Sequence, residues 1–216
     1  MTDLRDALSH VLWIGGGPRV GKTTLSRLLA GKFDLKIYNL DWHQVREHHE
    51  RSGEADAWWQ QRSMDERWVQ PSPQELLERS IAAWNEGFPL VLEDLLALPR
   101  SRPIVADGPG AFPWCVAPVV RSFRQAIFLV PTPELRDSVA ARRSRGDPQF
   151  GDDTSDPERA RSNIRTRDGL LGERIAQSCR ELGLRCELMD GSRDLDDSLA
   201  LLEEHFRPHL PATYNV

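Results

Sequence analysis

Apolar and polar positions divide the chain into short, solidly apolar runs and longer stretches whose apolar residues recur at helical spacing. Five runs read as buried parallel strands: Val11 to Gly15, Lys36 to Leu40, Pro103 to Asp107, Gln125 to Val130, and Arg185 to Met189. Helical stretches separate them, and strands alternating with helices specify a parallel sheet covered on both faces. Helix starts carry local signals. Ser72-Pro73-Gln74-Glu75 combines a capping box with proline at the first helical position, and Thr132-Pro133-Glu134 repeats the cap-plus-proline start after the fourth run. Gly87 and Gly183 stand where helices are expected to stop. No internal repeat interrupts the pattern, and the tail from Pro208 to Val216 reads as frayed.

Two intervals do not fit a minimal five-stranded core. Asp41 to Arg102 is too long for one crossover helix, so residues 42–102 should hold several helices and carry a substrate, with 1–41 and 103–207 as the core of a single domain. In the second interval, Arg142, Arg143, Arg145, Arg159, Arg161, Arg165 and Arg167 surround the Gly/Asp/Pro-rich stretch Gly146 to Pro157. Guanidinium offers bidentate donors and keeps its charge, so arginines crowded around a loop point to a lid over phosphates at 142–168. The competing reading pairs them with Asp147, Asp152, Asp153, Asp156 and Glu158 on a solvated face.

Between the first run and its helix lies Gly16-Gly17-Pro18-Arg19-Val20-Gly21-Lys22-Thr23, a complete G-x-x-x-x-G-K-[ST] sequence. Strand, glycine loop and helix suit polyphosphate. Successive backbone N–H groups and the positive end of the helix dipole meet the oxygens with no side chain in the way. The residues expected to touch a nucleoside triphosphate are Gly16, Gly17, Pro18, Arg19, Val20, Gly21, Lys22, Thr23 and Thr24. Lys22 would bridge the β- and γ-phosphates, and the Thr23 hydroxyl would ligate Mg²⁺.

Composition narrows the picture. A length of 216 residues allows one α/β domain with a full core, and a net charge of −5 argues against a general nucleic-acid binder. No run approaches the roughly 20 apolar residues of a membrane span, and Met1 to Ser9 lacks a signal-peptide core, so the cytoplasm is the expected compartment. Cys115, Cys179 and Cys186 form no C-x-x-C pair, which reads as reduced packing thiols. The histidines show no H-E-x-x-H or comparable spacing, so no structural metal is expected.

With its glycine loop at the first strand, its long insert after the second and its arginine-rich segment after the fourth, the chain resembles the P-loop kinases of the adenylate kinase, shikimate kinase and chloramphenicol phosphotransferase kind. The similarity spans nearly the whole chain in order of elements, while only the phosphate loop is a specific motif. It implies a five-stranded parallel sheet of order 2-3-1-4-5 and transfer of the γ-phosphoryl group of ATP to a small acceptor. Asp41 stands directly after the second strand, where many such kinases carry an aspartate that accepts the proton of the substrate hydroxyl. A helix N-cap would place an aspartate there equally well. Asp107 matches the Walker-B-like acid that holds Mg²⁺, and it is followed by Gly108 rather than the glutamate expected in many motor ATPases, which favours transfer over hydrolysis. Asp190 and Gly191, after the fifth strand, occupy the place where relatives contact the adenine edge, although a D-G-S turn is also ordinary punctuation. The absence of an N-K-x-D motif makes ATP the better guess over GTP.

Residues in the insert add weaker signals. Trp42, Trp58, Trp59 and Trp68 would form either an aromatic wall for a flat or apolar acceptor or the insert's own small core. His43, His48 and His49 are further candidates for substrate contact. Glu93 and Asp94 interrupt an apolar run, so one of them would reach the cleft while the other faces solvent, unless a helix displays both to water. The resulting expectation is an ATP- and Mg²⁺-dependent kinase of a nucleoside, sugar-like metabolite or antibiotic, with Lys22, Asp41 and the lid arginines Arg142, Arg143, Arg161, Arg165 and Arg167 as its catalytic groups. A nucleoside monophosphate kinase is the nearest rival, its second phosphate gripped by Arg46, Arg51, Arg62 or Arg67. A toxin-type kinase of an activated sugar and a nucleotide-dependent switch with little turnover complete the field.

Overall fold

The computed structural model describes residues 3–51, 53–143 and 151–211, with residues 140–143 described through their helical backbone only. A short helix α1 (Leu4–Ala7) leads into β1 (Val11–Gly16), and the glycine loop connects β1 to α2 (Lys22–Phe33). β2 (Lys36–Asn39) turns at once into α3 (Leu40–His43) and a π turn over Gln44–His48. The insert continues with α4 (Glu54–Gln61), α5 (Met64–Trp68) and α6 (Pro73–Ala97). β3 (Ile104–Asp107), α7 (Pro113–Val116), β4 (Ala126–Pro131) and α8 (Pro133–Arg143) follow. α9 (Pro157–Leu182), β5 (Arg185–Met189) and α10 (Leu195–Phe206) come next, and a 3-10 turn over Arg207–His209 ends the described elements, so the start of the tail expected to fray is ordered.

The five strands form one parallel sheet of order β2-β3-β1-β4-β5. Alternation along each strand sorts the core into two layers. Val11, Trp13, Tyr38, Ile104, Ala106 and Phe128 meet α6, α7 and α9 on one face. Leu12, Ile14, Val105, Ile127 and Leu129 meet Leu25 and Leu29 of α2 and Leu202 and Phe206 of α10 on the other. The register brings Asn39, Asp107 and Ile14 side by side at the C-terminal ends of β2, β3 and β1, which is where an α/β sheet of this kind binds ligands. Among the described residues no helix is long and apolar enough to cross a membrane.

Ser72 and Glu75 form the expected capping box with Pro73 in the first turn, and Gly183 closes α9 in the left-handed conformation at φ 66°. Gly87 does not end a helix. α6 runs unbroken for 25 residues through both Gly87 and Pro89. Pro89 costs about 3 kcal/mol of helix stability, but Leu77, Ile81, Phe88, Val91 and Leu95 of this helix join the main core, and each such side chain contributes roughly 1.5–3 kcal/mol on burial. Burial therefore wins. Gly87 admits a neighbour instead, since a Cβ there would lie 2.5 Å from Gln44 Oε1. The second strand is also one residue shorter than its apolar run, because Asn39 caps α3 by accepting from the Trp42 amide and Leu40 is already helical.

Candidate functional site

The loop geometry begins at the strand. Gly16 has φ 123°, and a Cβ on it would lie 2.0 Å from the Leu129 carbonyl oxygen, so the approach of β1 to β4 demands glycine. Gly21, at φ 81°, turns the chain into α2. Arg19 also has positive φ, 66°. Lys22 is only 9% exposed, and its Nζ donates to the Gly17 carbonyl at 2.5 Å. Burial lowers its pKa to about 8, against the favourable fields of Asp107, Asp168 and Asp41. Thr23 Oγ1 donates to Asp107 Oδ2 at 2.9 Å, and Asn39 Nδ2 donates to Asp107 Oδ1 at 3.3 Å. Burial raises the Asp107 carboxyl, and these two hydrogen bonds oppose the rise.

One cleft of about 900 Å³ joins this loop to the insert. Gly16, Pro18, Arg19, Val20, Gly21, Lys22, Thr23 and Thr24 line its phosphate end, and Asn39, Asp41 and Gly108 line the adjoining wall. Asp41 is open to the cleft. The walls still raise its carboxyl above the usual carboxylate range, while Lys22 pulls it down. It is not the N-cap of α3, a role Asn39 fills. Trp59 and Trp68, with ring centroids 5.0 Å apart, Trp84 and Phe112 line the insert side. The tryptophan group is thus divided: Trp58 lies under Arg79 at 4.1 Å, and Trp42 is half exposed beside His43.

The arginines separate in the same way. Arg167 lines the cleft, its Nη1 donating to Ser80 Oγ at 3.2 Å and its Nε lying 3.0 Å from Asp168 Oδ1. Arg161 instead pairs with Asp152 at 2.6 Å, and Arg165 is exposed; neither is among the cleft residues. The side chains of Arg142 and Arg143, all of Arg145, and Gly146 to Phe150 lie outside the described residues. From Gly151 onward the segment is tied down: the Ser155 amide donates to Asp65 of α5 at 2.7 Å. Of the insert arginines, Arg51 pairs with Glu93, Arg62 pairs with Glu66 and Arg46 is exposed. Arg67 lines the cleft, with its Nε buried and without a hydrogen-bond partner.

Several expected contacts go elsewhere. Asp190 accepts from its neighbour Ser192 in a tight turn, and neither it nor Gly191 is among the cleft residues. His43, His48 and His49 are not among them either, nor are Glu93 and Asp94. Glu93 faces solvent, whereas Asp94 accepts from the Tyr38 hydroxyl at 2.6 Å. Asp168 is a cleft residue that the sequence reading missed. It is 3% exposed, burial raises its carboxyl, and Arg167, Arg19, Arg136 and Lys22 counter that rise. Its signal lay in the stripe Ala160, Ile164, Leu171, Ile175 and Cys179, which a carboxylate at position 168 interrupts on the buried side of α9.

The sheet order and the glycine loop between β1 and α2 define a P-loop NTPase fold. No family model matches the chain, and no curated protein matches it in sequence. Among solved structures it is similar to the NadR protein in complex with NAD and AMP-PNP, with a TM-score of 0.43 and 14% identity over 99% of this chain and 53% of that one. The chain thus spans about half the length of that protein.

Proposed function

We propose that the protein is an ATP-dependent kinase that transfers the γ-phosphoryl group to a hydroxyl of a small molecule: a nucleoside, a sugar-like metabolite or an antibiotic. The observation that carries this reading is the shared cleft, in which the phosphate loop, Asp41 and the insert aromatics face one space. Lys22 and the loop amides would hold the β- and γ-phosphates. The Thr23 hydroxyl and the Asp107 carboxylate are hard oxygen donors 2.9 Å apart beside the loop, a pairing that fits Mg²⁺. When bound there, the ion would offset charge on the phosphate oxygens. The acceptor oxygen would attack the γ-phosphorus as the bond to the β–γ bridging oxygen breaks, with the hydroxyl proton passing to Asp41 and ADP leaving. Partial burial helps, because a carboxylate with a raised pKa accepts that proton more readily. Arg167, held by Asp168 and Ser80, would stabilise charge on the transferred group.

A screen of alcohols for ATP-dependent ADP release tests the proposal, with Lys22→Ala as the inactive control. Asp41→Asn should lower turnover by roughly 10² or more while ATP affinity changes little. Equal turnover in Asp41→Asn would remove the base assignment. ATP binding with no acceptor-dependent release under any condition would instead favour a nucleotide-dependent switch. Arg67 supports a second reading, since a buried guanidinium Nε without a partner would suit an acceptor that carries a phosphate, as in a nucleoside monophosphate kinase. In that case Arg67→Ala raises the acceptor KM and leaves the ATP KM unchanged.

A further inference from the structure

We propose that His43, Glu47 and Asp94 form a binding site for one transition-metal ion of the zinc type, separate from the nucleotide cleft. The inference does not rest on the kinase reading. It begins with the winding of the chain. In an α-helix, positions five apart point about 140° away from each other, which would send His43 and His48 to different sides. The π turn over Gln44–His48 closes over five residues instead, and the two imidazoles stack 6.1 Å apart with Glu47 beside them. This winding is uncommon and is found mostly at functional sites. Here it aims three side chains at Asp94 of α6.

The donor atoms are already close. His43 Nδ1 lies 2.6 Å from Glu47 Oε2 and 4.0 Å from Asp94 Oδ2, and all three donors fall within 4.8 Å of one another. A tetrahedral ion with bonds of about 2.0–2.1 Å sets its ligands roughly 3.3 Å apart, a value these two separations bracket. These two separations differ from that value by about 0.7 Å, and the third, between Glu47 and Asp94, by at most about 1.5 Å, which side-chain rotation can supply. Outer partners hold the set in place. The Tyr38 hydroxyl donates to Asp94 Oδ2 at 2.6 Å, His48 Nε2 lies 2.8 Å from the same oxygen, and the Tyr38 ring stacks on His43 at 4.1 Å, tilted by only 6°. Metal-binding carboxylates and imidazoles are oriented by partners of this sort. Two carboxylates this close also favour a divalent cation over an uncharged occupant, and imidazole with carboxylate suits zinc, cobalt or manganese better than calcium. Glu47, with its side chain half exposed, leaves a side open for a fourth, water ligand.

The histidine spacing alone gave no sign of this site, because His43, Glu47 and His48 match no metal motif until the π turn and α6 bring them together. The test uses the full chain without a histidine tag, freed of metal by a chelator and kept free of nucleotide. Calorimetric titration with Zn²⁺ should show one site per chain with micromolar or tighter affinity, and Co²⁺ should give the visible absorption of a tetrahedral complex. The melting temperature should rise by several degrees with Zn²⁺. Glu47→Gln and His43→Ala should each weaken Zn²⁺ at least tenfold, while His49→Ala stays within twofold. Glu47→Gln carries the test if His43→Ala fails to fold. Absence of saturable binding at 100 µM Zn²⁺ overturns the proposal, as does binding that survives Glu47→Gln or is displaced by millimolar Mg²⁺.

Discussion

Lys22 is held between two demands, a buried position and a charge. Its folded pKa of about 8 lies below its ordinary 10.5, so between these values the unfolded chain binds more protons than the folded one. Lys22 therefore makes the protein alone more stable as pH rises through that window, and costs stability below it. Phosphates reverse the preference, since they favour the charged ammonium. Nucleotide binding should then take up a proton above about pH 8, and affinity should fall by as much as tenfold per pH unit there. Calorimetry at pH 8.5 in buffers of different ionisation enthalpy measures that uptake directly, and Lys22→Met should abolish it. No uptake in the native protein would mean that Lys22 keeps its charge. Asp168 belongs to the same electrostatic group, because Arg167, Arg19, Arg136 and Lys22 all act on its carboxyl beside the phosphate loop.

Two glycines at either end of the first β–α unit should respond to the same substitution with opposite sign. A Cβ at Gly16 meets the Leu129 backbone at 2.0 Å, and β4 cannot retreat without breaking its pairing with β1 and β5. Gly16→Ala should therefore cost more than about 3 kcal/mol or prevent folding. Gly31, within α2, has nothing within 4 Å of an added Cβ, so Gly31→Ala should gain about 0.5–1 kcal/mol. Denaturant unfolding of both variants decides the matter, and similar effects would contradict the packing argument. The contrast shows what can be read in a sequence. Solid apolar runs gave the strands to within a residue or two, and the phosphate loop was legible as a fixed motif between an apolar run and a helix, whereas Asp41 and Asp107 could be placed at the ends of such runs but took their roles from the resemblance alone. Gly87 was misread because a local breaker signal carries no record of the sheet face that α6 covers. Trp84 and Asp168 were missed because their place depends on how α6 and α9 pack, which no spacing along one helix reveals.

At the scale of the whole molecule, the cleft has one wall from the sheet and another from the insert, and α9 joins them. Asn163 of α9 donates through Nδ2 to the carbonyls of Trp68, Val69 and Pro71 at 3.0, 3.3 and 3.1 Å. Ser155 reaches Asp65, and Arg167 reaches Ser80. α5 itself has no buried residue, so these bonds, more than its own packing, keep it in place. Asn163→Ala removes the donor and leaves carbonyl groups without their partner, a cost of about 1–3 kcal/mol. That cost should fall on the insert and not on the sheet. In hydrogen exchange, amides of residues 64–71 should become roughly tenfold faster or more, since 1.4 kcal/mol corresponds to a factor of ten. The amides of β1 and β3 should keep their native protection, because the sheet core does not depend on Asn163. On the kinase reading proposed above, affinity for ATP should then hold, while binding of an acceptor against Trp59 and Trp68 weakens. Uniform acceleration across the sheet as well would show that insert and core unfold as one unit, and unchanged exchange at 64–71 would show that α5 is held by something other than α9.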